Sequence, residues 1–130
     1  MAIYSDLPLY KASYDLTLDM FKLVKDFERE YKYTIGESLK EKTIELVVLI
    51  YRANAVRDKF KVIASAREKL EVIRLMIRLT KDLKQISIRK FVSISKGVEA
   101  VSKQLAGWGN SLKPVPAGVV RRQGAGKRAV

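Results

Sequence analysis

Basic side chains are the residues best placed to do chemistry in this sequence, and their spacing is ordered. Arg67, Arg74, Arg78 and Lys81 follow one another at intervals of seven, four and three, which sets them on one side of any helix that carries them. Arg89, Lys96 and Lys103 recur every seven residues. With Lys84 between the two sets and Lys90 beside the second, they predict two basic ridges. The chemistry of such ridges is neutralisation of phosphates, which is strong, salt-sensitive and largely blind to base sequence, with bidentate contacts where the cation is Arg. The alternative for any one of them is an ordinary solvated helix face. For the set, the balance of charge argues against that alternative. Beyond residue 58 only Glu68, Glu71, Asp82 and Glu99 oppose 17 positive side chains, too few to pair them locally.

Other chemistry is scarce. The chain has no cysteine and no histidine, which removes disulfides, thiolate and imidazole metal sites, Cys nucleophiles and every mechanism with a His base. No Gly-rich phosphate loop, GxSxG elbow or DxD-like carboxylate cluster occurs. Glu41 and Glu45 stand one helical turn apart and could approach a metal. With Lys40 and Lys42 beside them and no His to join them, a solvated face is the better reading. No catalytic residue, metal or cofactor is therefore expected. Tyr4, Tyr10, Tyr14, Tyr31, Tyr33, Tyr51 and Trp108 are candidate stacking platforms for bases, although the heptad register of Trp108 favours core packing. Arg52 and Arg57 border Asn54 near a helix end, where they could touch phosphate or a partner protein, or simply satisfy the loop.

The elements that must position these residues read as helices. The first is expected from about Pro8 to Glu30, with Tyr10, Tyr14, Thr17, Phe21 and Val24 as its stripe and Leu16, Met20, Leu23 and Phe27 widening it. Pro8 suits a first turn. A break through Tyr31 to Tyr33 follows, and Thr34-Ile35-Gly36-Glu37 has the spacing of a capping box, which starts the second helix. That helix runs to about Ala55 on the stripe Leu39, Thr43, Leu46, Ile50, Ala53. Its segment Ile44 to Tyr51 holds seven apolar residues in eight, more than one face can bury. Read alone, that run resembles a strand, but its flanks lack turn chemistry and continue the helical stripe. Val48, Leu49 and Tyr51 are thus candidates for a subunit interface, unless they fill the bundle itself. The third helix is expected from Asp58 or Lys59 to Gln85 on Ile63, Ala66, Leu70, Ile73, Ile77. Ser87 caps a fourth on Phe91, Ile94, Val98, Val101, Leu105, Trp108 and Leu112.

Four helices with short links predict an all-α, antiparallel, up-down-up-down four-helix bundle over residues 1–112. From Lys113 the periodicity stops. Pro114, Pro116, Gly118, Gly124 and Gly126 with Arg121, Arg122, Lys127 and Arg128 read as a basic tail over 113–130, either a solubility tail or an arm that orders on an RNA partner. The composition agrees: 130 residues, 48% hydrophobic, 31% charged, fit one globular domain. The formal net charge of +12 points to an anionic partner. Residues 1–58 carry 9 basic and 10 acidic side chains, and residues 59–130 carry 17 and 4, so the second half supplies the field. The lack of a long uncharged apolar run or signal-peptide pattern leads us to expect no membrane association and a cytoplasmic protein.

Several segments together resemble a known family. These are Leu9-Tyr10-Lys11-Ala12-Ser13-Tyr14, Phe27-x-x-Glu30-Tyr31-x-Tyr33-Thr34, Ile73-Arg74-Leu75-x-Ile77-Arg78-Leu79, and Ser102-Lys103-Gln104-Leu105-x-x-Trp108. Over residues 7–112 the chain is similar to the small four-helix-bundle proteins that include the 23S rRNA intervening-sequence proteins and the accessory variability determinant (Avd) proteins of diversity-generating retroelements. The intervening-sequence branch typically ends its second helix in an Asn-Ile-Ala-Glu-Gly-like segment. Here that stretch is Tyr51-Arg52-Ala53-Asn54-Ala55-Val56-Arg57, which tilts the resemblance to the Avd branch. The resemblance implies a basic homopentamer without catalytic residues that binds reverse transcriptase and template RNA in mutagenic cDNA synthesis. RNA is the expected ligand, with DNA or an RNA/cDNA hybrid as further candidates. A ribosome-associated bundle and a structural homo-oligomer charged only for solubility are the alternatives.

Overall fold

The computed structural model describes residues 8–111. Four long helices make the body: α1 (Pro8–Lys25), α2 (Glu37–Ala53), α3 (Lys59–Asp82) and α4 (Ile88–Ser111). A helical turn at Arg29–Tyr31 and a π-helical segment at Lys32–Gly36 lead directly into α2. No strand occurs among the described residues.

One spacing builds all four. Buried positions are Leu9, Ser13, Leu16, Met20, Leu23 and Val24 on α1; Leu39, Thr43, Leu46, Ile50 and Ala53 on α2; Ile63, Ala66, Leu70, Ile73, Ile77 and Thr80 on α3; and Ile94, Val98, Val101 and Leu105 on α4. Apart from Val24, which adjoins Leu23 at the end of α1, intervals of three and four alternate, the heptad pattern of left-handed bundle packing. The polar members need no partner across the core. Ser13 donates to the Tyr10 carbonyl, Thr43 to that of Leu39 and Thr80 to that of Ile77, so each hydroxyl is satisfied within its own helix.

Each helix packs chiefly on two neighbours, in the order α1, α2, α3, α4 and back to α1. The contacts run antiparallel. Lys40 near the start of α2 lies 5.2 Å from the Phe21 ring late in α1. Glu45 bonds Lys69 at 2.8 Å, and Lys42 and Leu49 of α2 line one hollow with Ser65, Lys69 and Val72 of α3. Arg74 reaches Glu99 and Lys81 covers Phe91. Lys90 at the start of α4 pairs with Asp26 just past α1, and Pro8 and Leu9 adjoin Trp108 at the opposite end. The bond from Lys69 holds the Glu45 carboxyl below the usual carboxylate range, assisted by the Lys69 charge.

The predicted core stripes of α2 and α3 are the buried sets. Two expectations need correction. On α1 the core stripe is Leu9, Ser13, Leu16, Met20, Leu23: the predicted leading stripe holds at Val24 and in the widening residues Leu16, Met20, Leu23 and Phe27, but Tyr10 and Thr17 are only half-buried and Tyr14 and Phe21 are exposed. Both stripes have similar apolar content, and Ser13 disguises the inner one. The second correction concerns the capping box. The chain breaks at Asp26–Glu28 rather than at Tyr31–Tyr33, and the Thr34 hydroxyl donates back to the Glu30 carbonyl at 2.7 Å instead of capping a helix start. The cap at the real break comes from afar: the Gln85 side-chain oxygen accepts from the Glu28 backbone N–H at 2.8 Å. Local pattern cannot reveal a cap supplied 57 residues away.

The later helix ends follow local rules. Asp58 accepts from Lys61 N–H at the start of α3, and Ser87 accepts from Lys90 N–H at the start of α4. After α3, Gln85 N–H returns to the Thr80 carbonyl and Lys84 N–H to that of Lys81, a Schellman motif with Lys84 at φ 61° where glycine is usual.

Gly36 serves closeness rather than conformation. Its backbone is ordinary right-handed helix, but a Cβ there would stand 2.6 Å from Val24 Cγ1 and 3.1 Å from the Tyr31 carbonyl oxygen. Gly107, by contrast, has nothing within 4 Å of that position. Gly36→Ala is therefore expected to destabilise by about 1–3 kcal/mol through overpacking, and Gly107→Ala to stabilise by roughly 0.5–1 kcal/mol through helix propensity. Urea midpoints of the two variants measure both signs.

Candidate nucleic-acid interface

The two predicted basic ridges fall in different surroundings. That of α3 runs along the seam with α4. Arg74 is clamped there: one guanidinium nitrogen donates to Glu71 on its own helix at 2.5 Å and another to Glu99 on α4 at 2.6 Å. Partial burial opposes its charge, but the two carboxylates outweigh that and raise its pKa above the ordinary arginine value. Arg78 stands 3.9 Å from Asp82, Lys81 sits 4.9 Å over the Phe91 ring, and Arg67 reaches across to α4 at Gly109. An apolar-floored groove lined by Arg74, Leu75, Phe91, Ser95 and Val98 lies beneath them.

The four acids beyond residue 58 pair only a small part of the positive charge, and where they do so is uneven. Three of the four, Glu71, Asp82 and Glu99, serve the α3 ridge. That ridge is in part an interhelical clamp, because Arg74 meets a carboxylate from each of the two helices.

The α4 ridge is the bare one. Arg89, Lys96 and Lys103 are all exposed, and among the described residues none has a carboxylate partner. At 1.5 Å per residue their seven-residue steps put the cations about 10.5 Å apart along the axis. Lys84, at the turn before α4, is exposed and likewise lacks a described carboxylate, whereas Lys90 is paired with Asp26 at 3.2 Å. Arg52 in the last turn of α2 and Arg57 in the link to α3 are exposed. Arg121 and Arg122 lie outside the described residues.

The opposite side, α1 with α2, is apolar instead. Tyr14, Leu18 and Phe21 on α1 and Ile44, Val48 and Tyr51 on α2 are each between 42% and 49% exposed, and each trio repeats at intervals of four and three on one helix face. Phe21 and Ile44 share one hollow, which joins the two stripes. Val48 and Tyr51 belong to this face. Leu49 does not: it is turned to the α3 side, half-buried against the core. Sequence reading missed Leu18 and Ile44, whose i, i+4, i+7 relation to Phe21 and Tyr51 was the available signal. A smaller exposed stripe, Val72, Leu75 and Leu79, occupies the back of α3. Trp108 is half-buried against the core. Among the described residues no helix is long and apolar enough to cross a membrane.

Residues 9–112 match the family model described as bAvd-like. No curated protein matches the chain.

The clamp and the bare ridge differ in what their loss does to stability. Arg74→Ala is expected to cost about 1 kcal/mol, the upper end for a partly exposed pair, and the loss shrinks in high salt. Arg89→Ala should stay within about 0.5 kcal/mol of the parent, as for a surface position without partners. Urea unfolding of both variants at low and high salt checks the contrast.

Proposed function

The chain belongs to the bAvd-like family, and from that premise we propose that it is the non-catalytic accessory protein of a diversity-generating retroelement. In this reading it binds the element's template RNA and reverse transcriptase and supports mutagenic cDNA synthesis. The observation that carries it is the unpaired row Arg89, Lys96, Lys103 on a rigid helix, a surface suited to holding a polyanion and to little else. Catalysis belongs to the polymerase, and this chain positions the nucleic acid.

Self-assembly into a homopentamer is part of the proposal. Five copies can close a ring only head to tail, so each needs two different surfaces that fit one another. The stripe Tyr14, Leu18, Phe21, Ile44, Val48, Tyr51 is one candidate, and Val72, Leu75, Leu79 on α3 is the other. Used together, they leave the outer face of α4 uncovered, and assembly multiplies its field. Arg52 and Arg57, exposed at the α2–α3 link, are candidates for the polymerase contact.

A salt titration of binding between the purified chain and its template RNA tests the proposal. The logarithm of the association constant should fall against log salt with a slope of about −3 or steeper, the response of roughly four phosphates releasing counterions. A flat response would leave a structural oligomer whose charge serves solubility.

A further inference from the structure

We propose that the outer face of α4 is a rail for the backbone of double-stranded nucleic acid, an RNA duplex or an RNA–DNA hybrid, and not a platform for single strands. This rests on the nucleic-acid-binding reading above and names the class of ligand that the surface takes.

Rings and charges are separated on this surface. Proteins that hold single strands interleave cations with aromatic side chains, because stacking on a ring offsets the freedom each nucleotide loses on binding. On α4 no ring stands among the cations. Val92, Ser93 and Ala100 fill the surface between Arg89, Lys96 and Lys103, and Gly107 extends it. Phe91 is half-buried beneath the Lys81 ammonium, and Trp108 packs against the core. The exposed rings lie elsewhere: Tyr14, Phe21 and Tyr51 on the α1–α2 face, Tyr33 before α2, and Phe60 in the first turn of α3.

Stiffness and charge density favour the same ligand. The rail is straight and about 21 Å long from Arg89 to Lys103 at 1.5 Å per residue. A flexible strand laid along it would lose conformational freedom with no stacking in return. A duplex is already ordered by its own stacking. In B-form DNA the two strands together present one charge per about 1.7 Å of axis, twice the density of either strand. Small side chains between the cations let a broad, rigid backbone come close. Glu99, the acid on α4, is drawn aside to Arg74, so it does not interrupt the row.

The test uses the full chain and one short labelled RNA free of self-complementarity, presented alone, annealed to complementary RNA, and annealed to complementary DNA. Both duplexes should bind about tenfold or more tightly than the single strand at physiological salt. The triple variant Arg89→Ala, Lys96→Ala, Lys103→Ala, with unchanged helical circular dichroism, should lose most of that preference. Its salt slope on the duplexes should flatten by about 2.7, or about 0.9 for each phosphate contact removed. Preference for the hybrid alone would assign the rail to copied product, and preference for both to the double helix in general; each supports the proposal. Equal or tighter binding of the single strand, or a duplex preference untouched in the triple variant, overturns it while leaving nucleic-acid binding intact. Failure of all three probes to bind overturns both readings.

Discussion

The alternation of three and four residues between core positions, kept on all four helices, constrains everything outside the core as well. Once Leu16, Leu46, Ile73 and Val101 and their heptad mates face inward, the direction of every other side chain follows from the helical repeat. Tyr14, Phe21, Ile44 and Tyr51 must then share one side of the bundle, and Arg89, Lys96 and Lys103 must form a line on another. The surface pattern is a consequence of the core pattern, and a one-residue slip of any helix would scramble both.

Electrostatics gives the two sides different roles. Residues 59–111 carry 12 basic side chains against 4 acidic ones, and three of those acids pair with Arg74 and Arg78, Glu99 doing so across the α3–α4 seam. Arg74 therefore does for the seam what a hydrophobic contact does elsewhere: it fixes one helix against the other. Lys69 and Lys90 find acids on the first half of the chain, and among the described residues Arg89, Lys96 and Lys103 stay without a carboxylate on a rigid scaffold. Such a field concentrates polyanions near the surface and speeds their arrival, and the rigid helix holds the cations at fixed intervals. The α1–α2 side, nearly neutral and apolar, is the side on which another protein surface can pack without like-charge repulsion.

Much of this was legible in the sequence because local periodicity carried it. The buried sets of α2 and α3, the Asp58 and Ser87 caps and the seven-residue step of the α4 cations all follow from spacing within one helix. The misreadings share a different cause. Ser13 at a core position made the outward tyrosine stripe of α1 look like the inner one, and its hydroxyl is at ease there because it bonds its own helix. The Gln85 cap on Glu28 and the Glu99 clamp on Arg74 join residues distant in sequence, so no local pattern announces them. The difference between a clamped ridge and a bare one likewise depends on which acids from a neighbouring helix come within reach.

The central claim is that the polyanion lies on α4, away from the apolar side. Lysine-reactivity footprinting, read by mass spectrometry with and without RNA, tests it most directly. The account predicts that Lys96 and Lys103 become protected on RNA binding while Lys11 and Lys42, on α1 and α2, keep their reactivity. Protection of Lys11 and Lys42 with Lys96 and Lys103 still reactive would contradict it.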